Sequence, residues 1–463
     1  MFDFVSRRSI LALAAVGVPS AMAPAVAAEP RRSRPAGATT RTAVAAGHEL
    51  GLTPDSPEDQ SVALQAAIDQ AALNRVTLQL PAGILRASGA VLRERSHVIG
   101  SPGTRLQAVG GGAVLTAERA HGARLERVRV EGAGNSGGET ANGALIEIRA
   151  SHGIAVDDLT LSRAARNGIY LEGCSGRVRG CRIENVGAAA LWAMNSLGLE
   201  IVGNDIAKCG DNGILVWRSA PGDDATLVAQ NRIAHIFAVS GGSGQNGNGV
   251  NVFRAGGVLV TGNHISDCAY SAVRGNAASN IQIVANSAAR IGEVALYAEF
   301  GFEGALIAQN VVDASAAGIS VTNFNEGGRL AVVQGNLVRN LRRREHEPVD
   351  KRGEGISIEA DAAVSGNTIE GAPTAGIVIG WGRYMRNVTA TGNLIRGAGV
   401  GIMITKDADA GSCLVAQNLI SDVRDGAIRL MDLGRPVGED LALSQPRAGR
   451  IAIGGNVVSG GGA

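Results

Sequence analysis

The chain has 463 residues, of which 65 are Gly, 13 are Pro and 45% are apolar, with only 7 Phe, 3 Trp and 4 Tyr. High glycine with little proline and a clear sequence period excludes a disordered chain. The formal net charge of +1 excludes a strongly charged surface of the kind that attracts nucleic acid or membranes. Because most of the apolar residues are Ala, Val, Ile and Leu, thin and regular layers are expected rather than a bulky aromatic core.

Residues 1–28 have the pattern of an export signal. Arg7 and Arg8 precede a short apolar run, Ile10–Val18, which is followed by small residues suited to signal cleavage. The paired arginines predict a twin-arginine signal, since the run is shorter than the roughly 18–20 residues of a membrane span. A general secretory signal or a short anchor is the alternative. We expect a linker at 29–54, a periplasmic or secreted protein, and no membrane span after cleavage.

Residues 55–106 are predicted to form an N-terminal cap and the first coil of a repeat structure. Asp55 or Ser56 is expected to cap a helix that runs through Ala72. Short strands and a turn at 81–83 follow it. The apolar face of the helix is formed by Ala63, Leu64, Ala67, Ile68 and Ala71.

An asparagine recurs behind small and β-branched residues, as in LEIVGNDI (199–206), VLVTGNHI (258–265) and VTATGNLI (388–395). The basic unit is about 23–26 residues, with occasional insertions. We expect each asparagine to occupy a tight turn, in a left-handed backbone conformation, with its amide bonded to the asparagine of the next coil. A catalytic residue is needed only once, so the repetition indicates a scaffold. The series comprises Asn204, Asn231, Asn263, Asn286, Asn310, Asn336, Asn367, Asn393, Asn418 and Asn456.

A second pattern follows each asparagine by about nine to eleven residues. It is a glycine followed by alternating apolar residues, as in GIYLEG (168–173), GISIEA (355–360) and GIVIGW (376–381). This alternation predicts about three short strands per unit. Leucine-rich repeats lack support because their leucine frame is absent, and propeller blades need longer units. The predicted fold is therefore all-β, a parallel β-helix of about thirteen coils over 107–463.

The capping segment and the coils together resemble pectate-lyase-type and polygalacturonase-type β-helices. The resemblance implies a right-handed helix whose first coil is closed by a short helix. It also implies that substrate lies along the outer face of the Gly-Ile-x-Val strand. With its export signal, the chain looks like a group of bacterial twin-arginine-translocated repeat proteins, which implies no particular reaction.

On that strand, side chains two and four residues after the glycine should point away from the core. Several are aromatic, and flat aromatic faces bind sugar rings. Exposed strand positions favour aromatic residues in any case, so the functional and the structural interpretation both stay open. The predicted substrate-binding residues are Tyr170, Glu172, Trp192, Trp217, Asn251, Phe253 and Tyr297.

Two insertions, 231–249 and 338–355, lengthen the loop between the asparagine turn and this strand. Long loops in a compact stack often carry function, so we expect them to wall a groove. Arg342, Arg343 and Arg344 are candidates to pair with uronate carboxylates. The alternative is a solvated charged loop.

Catalytic signatures are weak. Asp157 and Asp158 match the paired aspartates of polygalacturonases, but the Gly-His-Gly and Arg-Ile-Lys motifs are absent, as is the Tyr-Gly-x-Asp-Pro-His motif of alginate epimerases. A pectate lyase needs carboxylates for calcium and an arginine base. The weak candidates for these roles are Asp211, Arg254, Arg274 and Glu299. No metal site is predicted, and calcium enters only if the protein is a lyase.

The five cysteines include no C-x-x-C motif, so a zinc or thioredoxin-like site has little support. Cys209 and Cys268 each follow an asparagine of the series by five residues, and we expect both to be buried at equivalent positions.

Two functional hypotheses follow. The first is an exported protein that binds a polysaccharide along one strand face and, if catalytic, acts as a polysaccharide lyase or glycoside hydrolase. The second is a non-catalytic glycan-binding or envelope-structural repeat protein. The expected partners are a polysaccharide and the twin-arginine export machinery, and no nucleic acid is expected.

Overall fold

The computed structural model describes residues 43–134, 143–242, 244–343, 353–444 and 449–460. The export signal with Arg7 and Arg8, the first part of the linker and Arg344 lie outside the described residues. Within the described ranges, no helix is both long and apolar enough to cross a membrane.

The chain winds through three sheets, here called A, B and C in the order in which each coil visits them. Among the described residues, sheet A has 16 strands and sheets B and C have 15 each. Each strand pairs in parallel with the equivalent strand of the neighbouring coil, and the final pair of sheet C is antiparallel. The fold is therefore a parallel β-helix, which confirms the predicted fold class.

The bounds of the strands are as follows. Sheet A contains Val44–Ala46, Thr77–Leu80, His97–Gly100, Arg124–Glu126, Ile154–Asp157, Gly176–Arg179, Glu200–Val202, Leu227–Ala229, Leu259–Thr261, Ile281–Val284, Glu303–Ala308, Arg329–Gln334, Ala360–Ser365, Arg386–Thr391, Cys413–Ala416 and Ile451–Gly454. Sheet B contains Gly83–Arg86, Thr104–Gln107, Arg129–Glu131, Thr160–Ser162, Arg182–Val186, Asp205–Cys209, Arg232–Ile236, His264–Cys268, Ser287–Ala289, Val311–Asp313, Leu337–Arg339, Thr368–Glu370, Leu394–Arg396, Leu419–Ser421 and Val457–Ser459. Sheet C contains Ala90–Val91, Leu115–Glu118, Ala144–Arg149, Asn167–Glu172, Ala189–Met194, Asn212–Asp223, Asn248–Gly256, Val273–Asn276, Val294–Glu299, Ala317–Val321, Glu354–Ile358, Ala375–Ile379, Val400–Thr405, Ile428–Asp432 and Arg435–Val437.

Thirteen of the 15 strands of sheet B follow Gln107, which agrees with the thirteen coils expected over 107–463. The other two, Gly83–Arg86 and Thr104–Gln107, belong to the segment predicted to form the cap and the first coil.

The core is a column of aliphatic side chains that stack coil upon coil. In sheet C, Ile169, Leu191 and Ile214 are in register and have no exposed surface. The glycine before each such residue has a steric cause: a Cβ at Gly355 would lie 2.2 Å from the carbonyl oxygen of Gly376 in the next coil. Only glycine allows so close an approach at the bend into sheet C.

The ten asparagines form one continuous ladder at the turn between sheets A and B. The Nδ2 of each of the first nine donates to Oδ1 of the next asparagine, for example from Asn263 to Asn286 at 2.9 Å and from Asn367 to Asn393 at 3.0 Å. Each Nδ2 also donates to a backbone carbonyl, such as Val228 O at 3.0 Å for Asn263. A buried amide is costly unless its hydrogen bonds are made, and here they are made within the stack.

The predicted left-handed backbone at these asparagines is wrong. The residue before each asparagine takes that conformation instead, with φ of 69° at Gly203, 57° at Gln230 and 57° at Ala285. None of the ten asparagines has a positive φ. The asparagine contributes its side-chain hydrogen bonds, and the residue before it adopts the left-handed conformation that the turn requires.

The helix that caps the first coil spans Ser61–Asn74 and buries Leu64, Ala67, Ile68 and Ala71. Its predicted start is too early, because Asp55 and Ser56 belong to the preceding turn. Asp55 has φ 61° and its carboxylate accepts the backbone N–H of Ile84 at 3.0 Å. Gln60 is the N-cap residue. The remaining helices are the 3₁₀ segments Gly47–Leu50 and Phe324–Glu326 and the short α-helix Leu441–Ser444.

All five cysteines are free and buried. Cys209 and Cys268 occupy equivalent positions in sheet B, each in register with Ile236 on the strand between them. Burial raises the pKa of Cys181 and Cys209 to about 12, so these thiols are packing residues rather than reactive ones.

Candidate functional site

The outer face of sheet C carries two rows of side chains, one residue from each coil. The first row runs in register from Tyr170 through Trp192, Leu215 and Asn251 to Arg274. The second row contains Glu172, Met194, Trp217, Phe253, Asn276 and Glu299. The parallel register therefore brings most of the candidates from the sequence onto one surface.

Four aromatic rings from successive coils form a zigzag across these rows. Centroids of Tyr170 and Trp192 are 5.3 Å apart, those of Trp192 and Trp217 are 5.4 Å apart, and those of Trp217 and Phe253 are 5.6 Å apart. All three contacts are edge-to-face, the geometry that aromatic quadrupoles favour. We call this set the aromatic ladder.

Guanidinium groups lie over both ends of the aromatic ladder. Arg149 lies 4.9 Å from the Tyr170 ring centroid and also pairs with Glu172, while Arg254 lies 4.6 Å from that of Phe253. Tyr170 is only 2% exposed, and burial raises the pKa of its hydroxyl. The accessible part of the ladder is thus the partly exposed Trp192, Trp217 and Phe253.

Beyond the aromatic ladder lies a buried charge cluster. Arg274 donates from Nε to Glu299 Oε1 at 2.6 Å, from Nη2 to Glu299 Oε2 at 2.9 Å and from Nη1 to Glu293 Oε2 at 3.0 Å. Asn276 donates to the same Oε1 of Glu299 at 3.0 Å. The Arg274 guanidinium also lies 5.0 Å from the centroid of the Tyr297 ring.

The insertion at 231–249 closes over this part of the face instead of walling an open groove. The Asp211 carboxylate accepts the backbone N–H of Ser240 at 2.8 Å and its hydroxyl at 2.7 Å. Asn251 Nδ2 donates to the carbonyl of Gln245 at 3.1 Å. A Cβ at Gly244 would lie 2.0 Å from Arg274 Nη1, so the loop rests directly on the guanidinium.

The loop and the charge cluster explain why several predicted substrate contacts are covered. Asn251 is 3% exposed and Tyr297 is 2% exposed, although both side chains point away from the core. Alternation along the strand determines the direction of a side chain, whereas the inserted loop and the charge cluster determine whether it reaches solvent.

The four weak catalytic candidates do not assemble into one centre. Arg274 and Glu299 are bonded to each other, and Asp211 anchors the insertion. Arg254 donates to the carbonyl of Ser219 at 2.9 Å and covers the Phe253 ring. Within the described ranges, no group of three or more His, Cys, Asp or Glu side chains is arranged to hold a metal ion.

A cavity of about 250 Å³ opens on the same face, downstream of the charge cluster. Its floor is formed by residues of sheet C, among them Ser320, Ser357 and Val378, and Tyr297 borders it. Trp381 and Tyr384 form one wall, on a tight loop closed by Trp381 N–H to Tyr384 O at 3.2 Å and by Tyr384 N–H to Trp381 O at 3.0 Å. We call this space the sheet C cavity.

Two carboxylates line the sheet C cavity. Glu354, 4% exposed, accepts a hydrogen bond from the Ser357 hydroxyl at 2.5 Å. Glu359, 8% exposed, accepts one from the backbone N–H of Phe324 at 2.6 Å, which ties it to the 3₁₀ segment. Each carboxylate is thus oriented by a donor from the protein.

Comparison with known proteins assigns the chain to a family. A family model described as a right handed beta helix region matches residues 144–327 and 222–395. The chain belongs to this family.

Several solved structures are similar over most of the chain. The catalytic unit of the thermostable GH87 alpha-1,3-glucanase from Streptomyces thermodiastaticus strain HF3-3 has a TM-score of 0.52 and 16% identity over 92% of this chain and 70% of that one. Gene product 12 of bacteriophage phi29 in its pre-mature form has a TM-score of 0.49 and 13% identity, over 85% of this chain and 56% of that one. PfbA, a surface adhesin of Streptococcus pneumoniae, has a TM-score of 0.42 and 13% identity, over 84% and 91%. At 16% identity the likeness to the glucanase shows a shared fold.

In this right-handed β-helix, the sequence patterns do not predict most of the residues that distinguish the sheet C cavity. Tyr297 is a predicted substrate-binding residue, and Glu359 lies four residues after Gly355, where the side chain is expected to point away from the core. In contrast, Glu354 precedes Gly355, and Trp381 and Tyr384 lie beyond the strand Ala375–Ile379. The Trp-Gly-Arg-Tyr stretch at 381–384 carried a signal, because a rare tryptophan beside a glycine directly after a Gly-Ile-x-Val strand marks a turn above that face.

Proposed function

We propose that this β-helix binds a polysaccharide along the outer face of sheet C, with one sugar unit in the sheet C cavity. The cavity carries the proposal, because two aromatic rings stand over a floor of hydroxyl and carboxylate groups. Sugar recognition needs this combination: an aromatic face for the apolar side of the ring and oriented polar groups for its hydroxyls.

The size of the cavity fits part of a chain rather than a large free ligand. Its volume of about 250 Å³ is below the roughly 300–1,000 Å³ of pockets that enclose drug-sized molecules. The aromatic ladder lies farther along the same face. Trp217 and the strand before Trp381 are separated by six strand spacings in sheet C, or roughly 29 Å at about 4.8 Å each. Only a long glycan reaches both.

The glucanase with the same fold acts on a polysaccharide, which supports this class of ligand. The experiment is a binding screen of the purified protein against neutral, uronate and amino-sugar polymers, followed by titration with oligosaccharides of increasing length. Binding of at least one polymer class is expected, and Trp381→Ala should weaken it. Absence of binding to every class overturns the proposal.

A second candidate function, hydrolysis of the bound glycan, is favoured by the placement of Glu354 and Glu359 in one cavity. Glycosidases use a pair of carboxyl groups, one as acid and the other as base or nucleophile. Glu354→Gln and Glu359→Gln should each abolish release of reducing ends while binding persists. Unsaturated products, detected by ultraviolet absorbance, would assign a lyase instead.

We propose in addition that residues 1–28 direct export by the twin-arginine route, on the strength of Arg7 and Arg8 ahead of a short apolar run. Lysine substitution of both arginines should leave the precursor in the cytoplasmic fraction. An unchanged periplasmic or secreted fraction would assign a different route.

A further inference from the structure

A hydroxyl, an imidazole and a carboxylate meet on the outer face of sheet A, within the first coils. Thr77 and His97 are register partners on neighbouring strands. The Thr77 Oγ1 and His97 Nδ1 atoms are 2.9 Å apart, and His97 Nε2 lies 3.2 Å from Glu126 Oε1. Glu126 lies on the next strand of sheet A, Arg124–Glu126, in register with Ile99 of the strand that carries His97. This face is distinct from sheet C and its cavity.

Two of the three groups border an open cavity of about 530 Å³. Thr77 and His97 both line it, and Thr77 as a whole is 5% exposed. Arg75, Arg95 and Arg124 also line this space, together with Glu94. Arg95 Nε lies 3.7 Å from Glu94, whereas Arg75 and Arg124 form no ion pair with any residue of the described ranges. The local charge is therefore positive and suits an anionic ligand.

We propose that Thr77, His97 and Glu126 form a nucleophilic relay that hydrolyses esters of anionic compounds. A nucleophile within hydrogen-bond reach of a base, with the base held by a third group, is the arrangement that activates a hydroxyl for acyl transfer. The proposal depends on the imidazole tautomer with hydrogen on Nε2, which leaves Nδ1 to accept from Thr77. Nε2 makes no aligned hydrogen bond within the described residues, so the Glu126 carboxylate, 3.2 Å away, acts on the imidazole through its charge.

The reaction proceeds in two balanced steps. Thr77 Oγ1 attacks the ester carbonyl carbon and passes its proton to His97 Nδ1, and the proton then moves to the alcohol oxygen as the ester C–O bond breaks. Water next attacks the acyl-threonine, again giving its proton to His97, and the acid leaves as the Thr77 hydroxyl is restored. Arg75 and Arg124 would hold the anionic part of the substrate. Glu126 is a positioning residue, since it acts through the imidazole.

The same contacts would also serve as a cross-strand ladder that stabilises the first coils. The two roles differ in what they require of Thr77. A structural ladder needs only a side chain of the right shape, whereas the relay needs the hydroxyl. Thr77→Val preserves the shape and removes the hydroxyl, and Thr77→Ser keeps a hydroxyl and removes a methyl group.

The experiment measures release of 4-nitrophenol by the full chain from 4-nitrophenyl acetate and from the anionic mono-(4-nitrophenyl) succinate. The succinate carboxylate also expels 4-nitrophenolate by attack on its own ester, so every rate is taken as the excess over the protein-free rate. We expect a larger excess rate with the succinate ester, a loss of about 10²–10⁴-fold in Thr77→Val and His97→Ala, and activity retained in Thr77→Ser. Glu126→Gln should lower kcat with little change in KM, and Glu126→Asp should restore part of it. Arg124→Ala should remove the preference for the succinate ester.

Gln79→Ala is the matched control, because Gln79 lies on the same strand as Thr77 with its side chain exposed and bonded to Ser101. Intact-mass and peptide analysis during turnover should find the acyl group on Thr77. Hydrolysis equal in wild type and Thr77→Val, an acyl group on another residue, or no hydrolysis of either ester overturns the proposal. Melting temperatures of all variants exclude misfolding as the cause of a lost rate.

Discussion

Asn286 donates twice to a single oxygen of Asn310: its backbone N–H reaches Oδ1 at 2.9 Å and its side-chain Nδ2 reaches the same atom at 3.1 Å. Asn310 in turn donates to Asn336 Oδ1 and to the carbonyl of Ile283. Each asparagine within the series is therefore both donor and acceptor, and the asparagine ladder joins neighbouring coils along the turn between sheets A and B.

Asn310→Ala should destabilise the protein by about 2–6 kcal/mol, because it leaves two buried donors of Asn286 without their acceptor at about 1–3 kcal/mol each. Thermal or denaturant unfolding measures the loss. Asn456→Ala is the control, since Asn456 ends the described ladder and is partly exposed. An equal effect at both positions would contradict a contribution that depends on burial.

The repeat made most of the scaffold predictable from sequence. Stacked coils impose one alternation on every strand of sheet C, so Ile169 and Tyr170 could be assigned to opposite faces from the residues alone. What could not be predicted depends on contacts between coils. Tyr297 is covered beside the cluster formed by Arg274, Glu293 and Glu299, and no local pattern encodes that cover.

The error in the cap helix has a similar origin. Asp55 has the right chemistry for a helix cap, but a strand nearly thirty residues later, through the Ile84 N–H, takes its carboxylate instead. The sheet C cavity is not predicted because its wall, at Trp381 and Tyr384, comes from a turn that lies beyond the Gly-Ile-x-Val strand and outside the repeated pattern.

Removal of the Arg274 guanidinium should be among the most destabilising single changes on the outer face. Arg274→Met takes the cation from Glu299, which is 1% exposed, and the cost of breaking a buried ion pair is about 3–5 kcal/mol. Arg290→Met is the control, because its pair with Asp267 is largely in solvent and its loss should cost no more than about 1 kcal/mol. Denaturant unfolding of the two variants compares them directly, and similar losses would contradict the assigned burial.

The buried thiols predict a dependence of stability on alkaline pH. Burial raises the pKa of Cys181 and Cys209 from 9.0 to about 12, so between these values the unfolded chain releases protons that the folded chain retains. Stability contributed by these thiols is complete below pH 9 and falls as the pH rises toward 12. In the double variant Cys181→Ala/Cys209→Ala, the free energy of unfolding should fall less steeply above pH 9 than in the wild type. Ellman's reagent should react with the native protein slowly, and with all five thiols after denaturation.

The two aromatic regions of sheet C should contribute to glycan binding in different ways. Trp381→Ala removes a wall of the sheet C cavity and should weaken binding of short and long oligosaccharides alike, by about tenfold for a loss of about 1.4 kcal/mol. Trp217→Ala, roughly 29 Å away, should weaken only oligosaccharides long enough to reach the aromatic ladder. Isothermal titration over a series of chain lengths separates the two. If Trp217→Ala reduces the affinity for the shortest ligand as much as Trp381→Ala does, the cavity is not the primary subsite. If neither variant changes affinity at any length, the ligand lies on another face.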